Sequence, residues 1–303
     1  MEGSALGTDG ARFGVALGGG TARAYAHIGA LRALERRGYR PDAIAGTSSG
    51  AVFGAMYALG TSTAELERFA RELDAAAVWR LALDPGLGQA AIVHGRRLEA
   101  FLDRTVFGGA VFADARLPLA VACTDLATGE LVVLRDGSIA RAVVASCALP
   151  GVFAPVLDGP RALVDGGFAE SVPFAALATL GPWKPLGIHA GIDVRRARLI
   201  ALVRALHATA AGRAVAGWFG RRRGRNPWSR LGRGLTLAVA SYERSIAAPP
   251  GGWLVTTRPP IAWLDFHRAA DAIRAGDQAI DAALEGGGLA AWLEGSPSGG
   301  GCT

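Results

Sequence analysis

A 303-residue chain that is 50% hydrophobic and 19% charged can bury a large core, which excludes a disordered or low-complexity protein. Its net charge of +6 rests on arginine, with Lys184 the one lysine, and favours phospholipid surfaces, nucleic acid or acidic metabolites without choosing among them. Three scattered cysteines (Cys123, Cys147, Cys302), no apolar run of about 18 residues, and an opening that carries Glu2 and Asp9 instead of a basic signal region together predict a cytoplasmic protein.

Residues 1–12 are expected to be a flexible N-terminus. "FGVAL", residues 13–17, reads as a short buried strand running into "GGG". From about Ala22 to Gly38 the apolar positions Ala26, Ile28, Leu31 and Leu34 recur at helical spacing, with Gly38 suited to end the helix. "PDAIAGTSSGAVFGAMYALG", residues 41–60, is a second strand, a tight turn and a helix. "TSTAELERFARELD" opens with a Ser/Thr cap ahead of acidic residues, and "GRRLEAFLDRTV" is a further amphipathic helix.

"LPLAVACTDLATGELVVL" predicts two strands joined by a turn at Thr128-Gly129. "SIARAVVASCALPG" is a helix stopped by Pro150 and Gly151, and "RALVDGG" a strand ending in a glycine turn. Strands alternating with helices predict an α/β fold of three layers, α/β/α, around a mostly parallel sheet. The signal thins beyond Leu180. There 192–219 reads as helical, "GRRRGRNPWSRLGRG" as an Arg-rich connector at about 220–234, and "DFHRAADAIRAGDQAIDAALEGGG" as the closing helices. One domain over residues 13–294 is expected, with 295–303 a disordered tail.

Gly46-Thr47-Ser48-Ser49-Gly50 is a G-x-S-x-G pentapeptide between a strand and a helix. At such an elbow the serine backbone is strained, and side chains two residues away on either side would collide with the neighbouring strand and helix. Glycines at 46 and 50 remove that collision and expose the hydroxyl. The helix that follows aims free N–H groups at the same point, which favours developing negative charge. A Gly/Ser-rich helix-start turn would look similar, and the strand–turn–helix setting is what favours a reactive serine.

A serine needs a base. Asp165 ends an apolar strand, and Gly166-Gly167 let the chain turn away and leave the carboxylate open. An ordinary D-G turn is the competing reading. Backbone N–H groups at Gly19, Gly20 and Thr21, ahead of a helix, are candidates to hold an oxyanion. Dinucleotide binding fits poorly, because Gly18-x-Gly20 is followed by Arg23 where the fingerprint needs glycine, and Asp42 precedes the second strand.

Taken in order, "LGGGTARAYAHIGALRALERRG", "DAIAGTSSGAVFGAMYALG", "TDLATGE", "ASCALPGVFAPV" and "VDGGFAESVP" resemble the patatin-like phospholipases, particularly the bacterial cytoplasmic type. The resemblance covers about residues 13–175, and "DFHRAADAIRAGDQAIDAAL" resembles the family's closing helices. It implies a lipase or phospholipase A activity through a Ser48–Asp165 dyad and an acyl-enzyme. The amide of Ser49 would join the glycine loop in the oxyanion hole, Arg23 would fix that loop or meet anionic headgroups, and Ser146–Pro155 would line the site. Two features depart from the family pattern: Thr21 and Ala24 replace usual glycines, and "FAES" follows the DGG where asparagine is common.

Other readings stay open on the residues alone. His189, His207 and His267 follow Asp165 in the order a Ser/Asp/His esterase requires, though none stands in a loop with supporting signals. His27 and His267 fall in helical patterns, as ordinary helical histidines do. The stretch Trp218–Arg233 mixes aromatics with arginines, which suits a solvated loop, an anionic membrane surface at the inner face, or a nucleic-acid backbone. The resemblance tilts that choice toward lipid and away from nucleic acid. A non-catalytic, membrane-associated regulatory protein with a relict hydrolase fold is the reading from another class. No metal or organic cofactor is implied, because no His/Cys/carboxylate cluster has ligand spacing.

Overall fold

The structure is a computed structural model that describes residues 12–73, 95–150, 152–191, 246–262 and 264–295. The first half runs β1 (Phe13–Leu17), a 3-10 turn (Thr21–Tyr25), α1 (Ala26–Arg36), β2 (Ala43–Thr47), α2 (Ser49–Ala58), α3 (Thr63–Glu72) and α4 (Arg96–Phe101). There follow β3 (Leu119–Asp125), β4 (Leu131–Leu134), α5 (Ile139–Ser146), β5 (Val156–Asp158) and β6 (Arg161–Asp165). The chain closes with α6 (Phe174–Ala178), β7 (Lys184–Ala190), β8 (Trp253–Thr257), α7 (Ala269–Glu285) and α8 (Gly288–Leu293). The Arg-rich connector, the helix expected over 192–219, and both termini fall outside the described residues.

The strands form one sheet in the order β5-β6-β3-β2-β1-β7-β8, with β4 paired to β3. The four pairs from β3 through β2, β1 and β7 to β8 are parallel, and β4, β5 and β6 add antiparallel ladders at one side. The fold is therefore α/β with a mostly parallel centre, as the alternating pattern predicts. The central strands divide their side chains by size. Val15, Leu17, Ile44, Val121 and Cys123 face a large core shared with α1, α2, α5 and α7, whereas Ala16, Ala43, Ala45, Ala120 and Ala122 face the other way. That alternation has the period of a strand. Large residues meet the long helices, and the alanine face receives Phe174 and Leu177 of the short α6.

Local signals fix several boundaries. Ser62 caps α3 and forms a capping box with Glu65, and Gly129, at φ 77°, makes the turn between β3 and β4. β7 and β8 carry no clear strand pattern in the sequence. Lys184, Pro185, Gly187 and His189 dilute β7, and β8 is a five-residue strand between Pro/Gly clusters. Pairing on both sides makes β7 a strand regardless, an instance of tertiary context outweighing propensity.

α7 fastens the N-terminal half. A Cβ on Gly29 of α1 would lie 1.8 Å from the carbonyl oxygen of Ile273, and one on Gly276 of α7 would lie 1.8 Å from that of Ala26. The backbones are thus nearly in contact. Along the rim of this junction Arg36 binds Asp277 and Asp281, and Arg37 binds Asp281 and Glu285. These exposed pairs add little, of order 0–1 kcal/mol each, so the close approach dominates. In an unobstructed helix Gly276→Ala would stabilise by about 1 kcal/mol. Here overpacking of about 1–3 kcal/mol or more reverses the sign, so a urea midpoint that falls with an unchanged m-value is expected. A raised midpoint would contradict the contact.

Candidate active site

Strand β3 determines where the two principal side chains meet. One edge of β3 pairs with β4 through Val121–Thr124. Its other edge pairs with β2 up to Thr47↔Ala122, then with the antiparallel β6 beginning at Asp165↔Cys123. β2 and β6 therefore end head to head on adjacent residues of a single edge. Ser48 follows Thr47 and Asp165 ends β6, so both side chains line one cavity, and Ser48 is near enough to hold the Asp165 pKa down.

The elbow has the form its glycines predict. Ser48 holds φ 53° and ψ −126°, and α2 starts at the next residue. A Cβ on Gly46 would lie 2.4 Å from Ala51 Cα, and one on Gly50 would lie 2.3 Å from the Leu17 carbonyl oxygen. At 166 a Cβ would meet the Ala122 carbonyl at 2.1 Å, while the Gly167 amide donates to Asp165 Oδ1 at 2.8 Å.

Fully buried Ser146 locks the elbow from below: its hydroxyl accepts from the Ser48 amide (2.7 Å) and donates to the Ala122 carbonyl (2.6 Å). The resemblance marks Ser146–Pro155 as lining the site, but the sequence does not reveal this bridge. Its only hint is a hydroxyl at the end of an apolar helix. Thr124 supports the acid side in the same way, donating to the Asp165 carbonyl (2.8 Å) and accepting from the Ala169 amide (3.0 Å). Cys147 lines the same cavity as Ser48, and enclosure raises its thiol pKa.

The expected oxyanion donors are corrected at one position. The Gly19 amide donates to the Ser171 carbonyl (3.1 Å) and is not available to the cavity. The amides of Gly20, Thr21 and Ser49 have no acceptor among the described residues. Gly19 touches the elbow instead: a Cβ there would lie 3.3 Å from Ser48 Cβ. Thr21 takes φ 53°, and it and Ser48 are the only non-glycine residues in left-handed backbone among those described. For a β-branched side chain that conformation costs of order 1–3 kcal/mol. Arg23 donates to the Gly191 carbonyl (3.0 Å), tying this turn to the end of β7.

Ser48, Ser49, Thr21 and Asp165 open onto a cavity of about 260 Å³ whose other walls are mostly apolar, among them Tyr25, Phe53, Phe69, Phe101, Leu149 and Phe266. Among the described residues no histidine lines it. His27 is buried with Nε2 on the Gly18 carbonyl (2.7 Å), and burial lowers its pKa to about 4. His189 is likewise lowered to about 4 by burial, with Arg23 and Arg258 nearby, and His267 is exposed. His94 and His207 lie outside the described residues. Removal from bulk water raises the Asp165 pKa from 3.8 to about 6, against the hydrogen bond from the Gly167 amide and the nearby Ser48.

A family model for patatin-like phospholipases matches residues 15–178, over half of the chain. The chain belongs to the patatin-like phospholipase family. An uncharacterized NTE family protein of Mycobacterium bovis is 39% identical over 174 residues, covering 57% of this chain and 47% of that protein. Lysophospholipase NTE1 of Pyricularia oryzae is 33% identical over 172 residues, covering 55% of this chain and 11% of its own length. This patatin-like chain thus spans about half of the mycobacterial relative it matches and about a tenth of the fungal one. Among solved structures, VipD from Legionella pneumophila superposes with a TM-score of 0.53 at 14% identity, covering 89% of this chain and 67% of that one. At that identity the likeness concerns the fold.

Burying Asp165 costs stability in a pH-dependent way. Its folded pKa lies above the unfolded value, so the folded state is penalised as pH rises from about 4 through about 6. Above that window the penalty is fully present. Asp165→Asn should therefore melt higher than the parent at pH 8, with the gap closing by pH 4. Equal melting temperatures at pH 8 would contradict a carboxylate held in a desolvated site.

Proposed function

We propose that this protein is a serine acyl hydrolase of lipase or phospholipase A type, acting on carboxylic esters of lipids through a Ser48–Asp165 dyad. The observation that carries the reading is that β2 and β6 end on adjacent residues of β3 and so bring Ser48 and Asp165 together at the wall of an apolar cavity. In the first step Ser48 Oγ bonds to the ester carbonyl carbon while its proton passes to Asp165. The carbonyl electron pair moves to the oxygen, where the amides of Gly20, Thr21 and Ser49 stabilise it. Collapse breaks the bond to the alcohol, which leaves with the proton from Asp165. Water then attacks the acyl-enzyme, gives its proton to Asp165, and the proton returns to Ser48 Oγ as the fatty acid departs.

An aspartate is a weaker base than imidazole at its usual pKa. Raised to about 6, Asp165 stays ionised at neutral pH yet holds the proton better than an exposed carboxylate would. The apolar walls suit an acyl chain, whereas a small polar ester would leave most of the cavity's apolar surface uncovered. An imidazole relay draws no support from His27, His189 or His267, each of which is away from the cavity. Lipid substrates require work at an interface. The aromatic and arginine-rich stretch Trp218–Arg233, outside the described residues, is the proposed contact with an anionic membrane at its inner face.

Labelling with a fluorophosphonate and mapping the modified peptide tests the nucleophile. Ser48 should carry the label, and Ser48→Ala should remove both labelling and hydrolysis of a short chromogenic ester. Because the base must be ionised, the rate should fall as pH drops through about 6. Label on another residue, or turnover that survives Asp165→Asn, would overturn the reading.

A further inference from the structure

Thr21 is a β-branched residue held at φ 53°, a backbone that glycine adopts without strain. Strain of this kind persists where surrounding structure imposes it, and it clusters at sites of chemistry. The other strained non-glycine residue is Ser48, and both line the same cavity. The glycine loop packs on the elbow, where a Cβ at Gly19 would lie 3.3 Å from Ser48 Cβ, and Thr21 lies two residues further along the same loop. Among the described residues the Thr21 amide has no acceptor, and its hydroxyl makes no hydrogen bond. A hydroxyl is a donor as well as an acceptor, and it rotates to suit its partner.

We propose that Thr21 is a further catalytic residue whose side-chain hydroxyl donates to the oxyanion formed at Ser48, adding an O–H to the backbone amides of the loop. The inference rests on the Ser48–Asp165 reading. A glycine at this position would supply the amide alone, so the hydroxyl is what the strained backbone gains. The contact matters in the transition state, where the carbonyl oxygen carries charge, and little in the ground state. Its loss should therefore lower kcat and leave KM in place.

The test measures p-nitrophenyl butyrate hydrolysis by the parent, Thr21→Val, Thr21→Ser and Thr21→Gly. Valine keeps the shape and removes the hydroxyl; serine keeps the hydroxyl; glycine removes both hydroxyl and strain. Thr21→Val and Thr21→Gly should lose about 10- to 100-fold in kcat with KM changed less than about twofold. Thr21→Ser should stay within about threefold of the parent, and Thr21→Gly should melt about 2–4 °C higher. A catalytic loss alongside a stability gain is an outcome that a merely structural threonine would not give. Parental kcat in Thr21→Gly, or an equal loss in the serine and valine variants, overturns the proposal. Should the valine variant fail to fold, the glycine variant decides alone. Fluorophosphonate labelling of the parent separates the two layers: Ser48 labelled with kcat indifferent to Thr21→Gly defeats only the hydroxyl's role, whereas an unlabelled, inactive parent defeats both.

Discussion

A strand has two edges, and the structure depends on how β3 shares one of them. β2 occupies that edge as far as Ala122, and β6 arrives from the opposite direction to occupy it from Cys123. Parallel and antiparallel neighbours cannot overlap on one edge, so their ends abut. The residues at those ends, Ser48 and Asp165, meet across a distance of over a hundred positions in sequence. Backbone hydrogen bonds set this meeting, and Ser146 and Thr124 then fix each end to the same strand or to its neighbour. Nothing in the arrangement relies on a long flexible side chain.

The site is assembled at a cost to stability. Asp165 is desolvated, Ser48 and Thr21 occupy left-handed backbone, and the Thr21 and Ser49 amides at the cavity have no acceptor among the described residues. Each would be selected against in a region whose only duty was to fold. The surrounding fold offsets them with tight, mostly apolar packing, closed on one side by α7, whose glycine meets the backbone of α1. That closure draws the C-terminal helix onto the first βαβ unit, so the end of the chain stabilises the loop that begins the site.

Legibility in the sequence followed the range of the interactions. Local chemistry was readable: Gly46 and Gly50 around Ser48, the Ser62–Glu65 cap, and the Gly129 turn. Asp165 was readable as a candidate because a strand stops there at two glycines. Long-range facts were not. β7 becomes a strand through neighbours on both sides despite Pro185 and Gly187, and the Gly19 amide is taken by Ser171, a partner that no spacing rule identifies. The Ser146 bridge was hidden for the same reason, since a small hydroxyl in an apolar helix resembles many others.

The central claim is that a serine hydroxyl and a half-buried carboxylate at the cavity wall interact directly. Following the carboxyl signal of Asp165 by carbon-13 NMR through a pH titration, in the parent and in Ser48→Ala, tests it most directly. The account predicts a midpoint near 6 in the parent, moving higher in the variant because the carboxylate loses a donor. A midpoint near 4 that is identical in both proteins would contradict it.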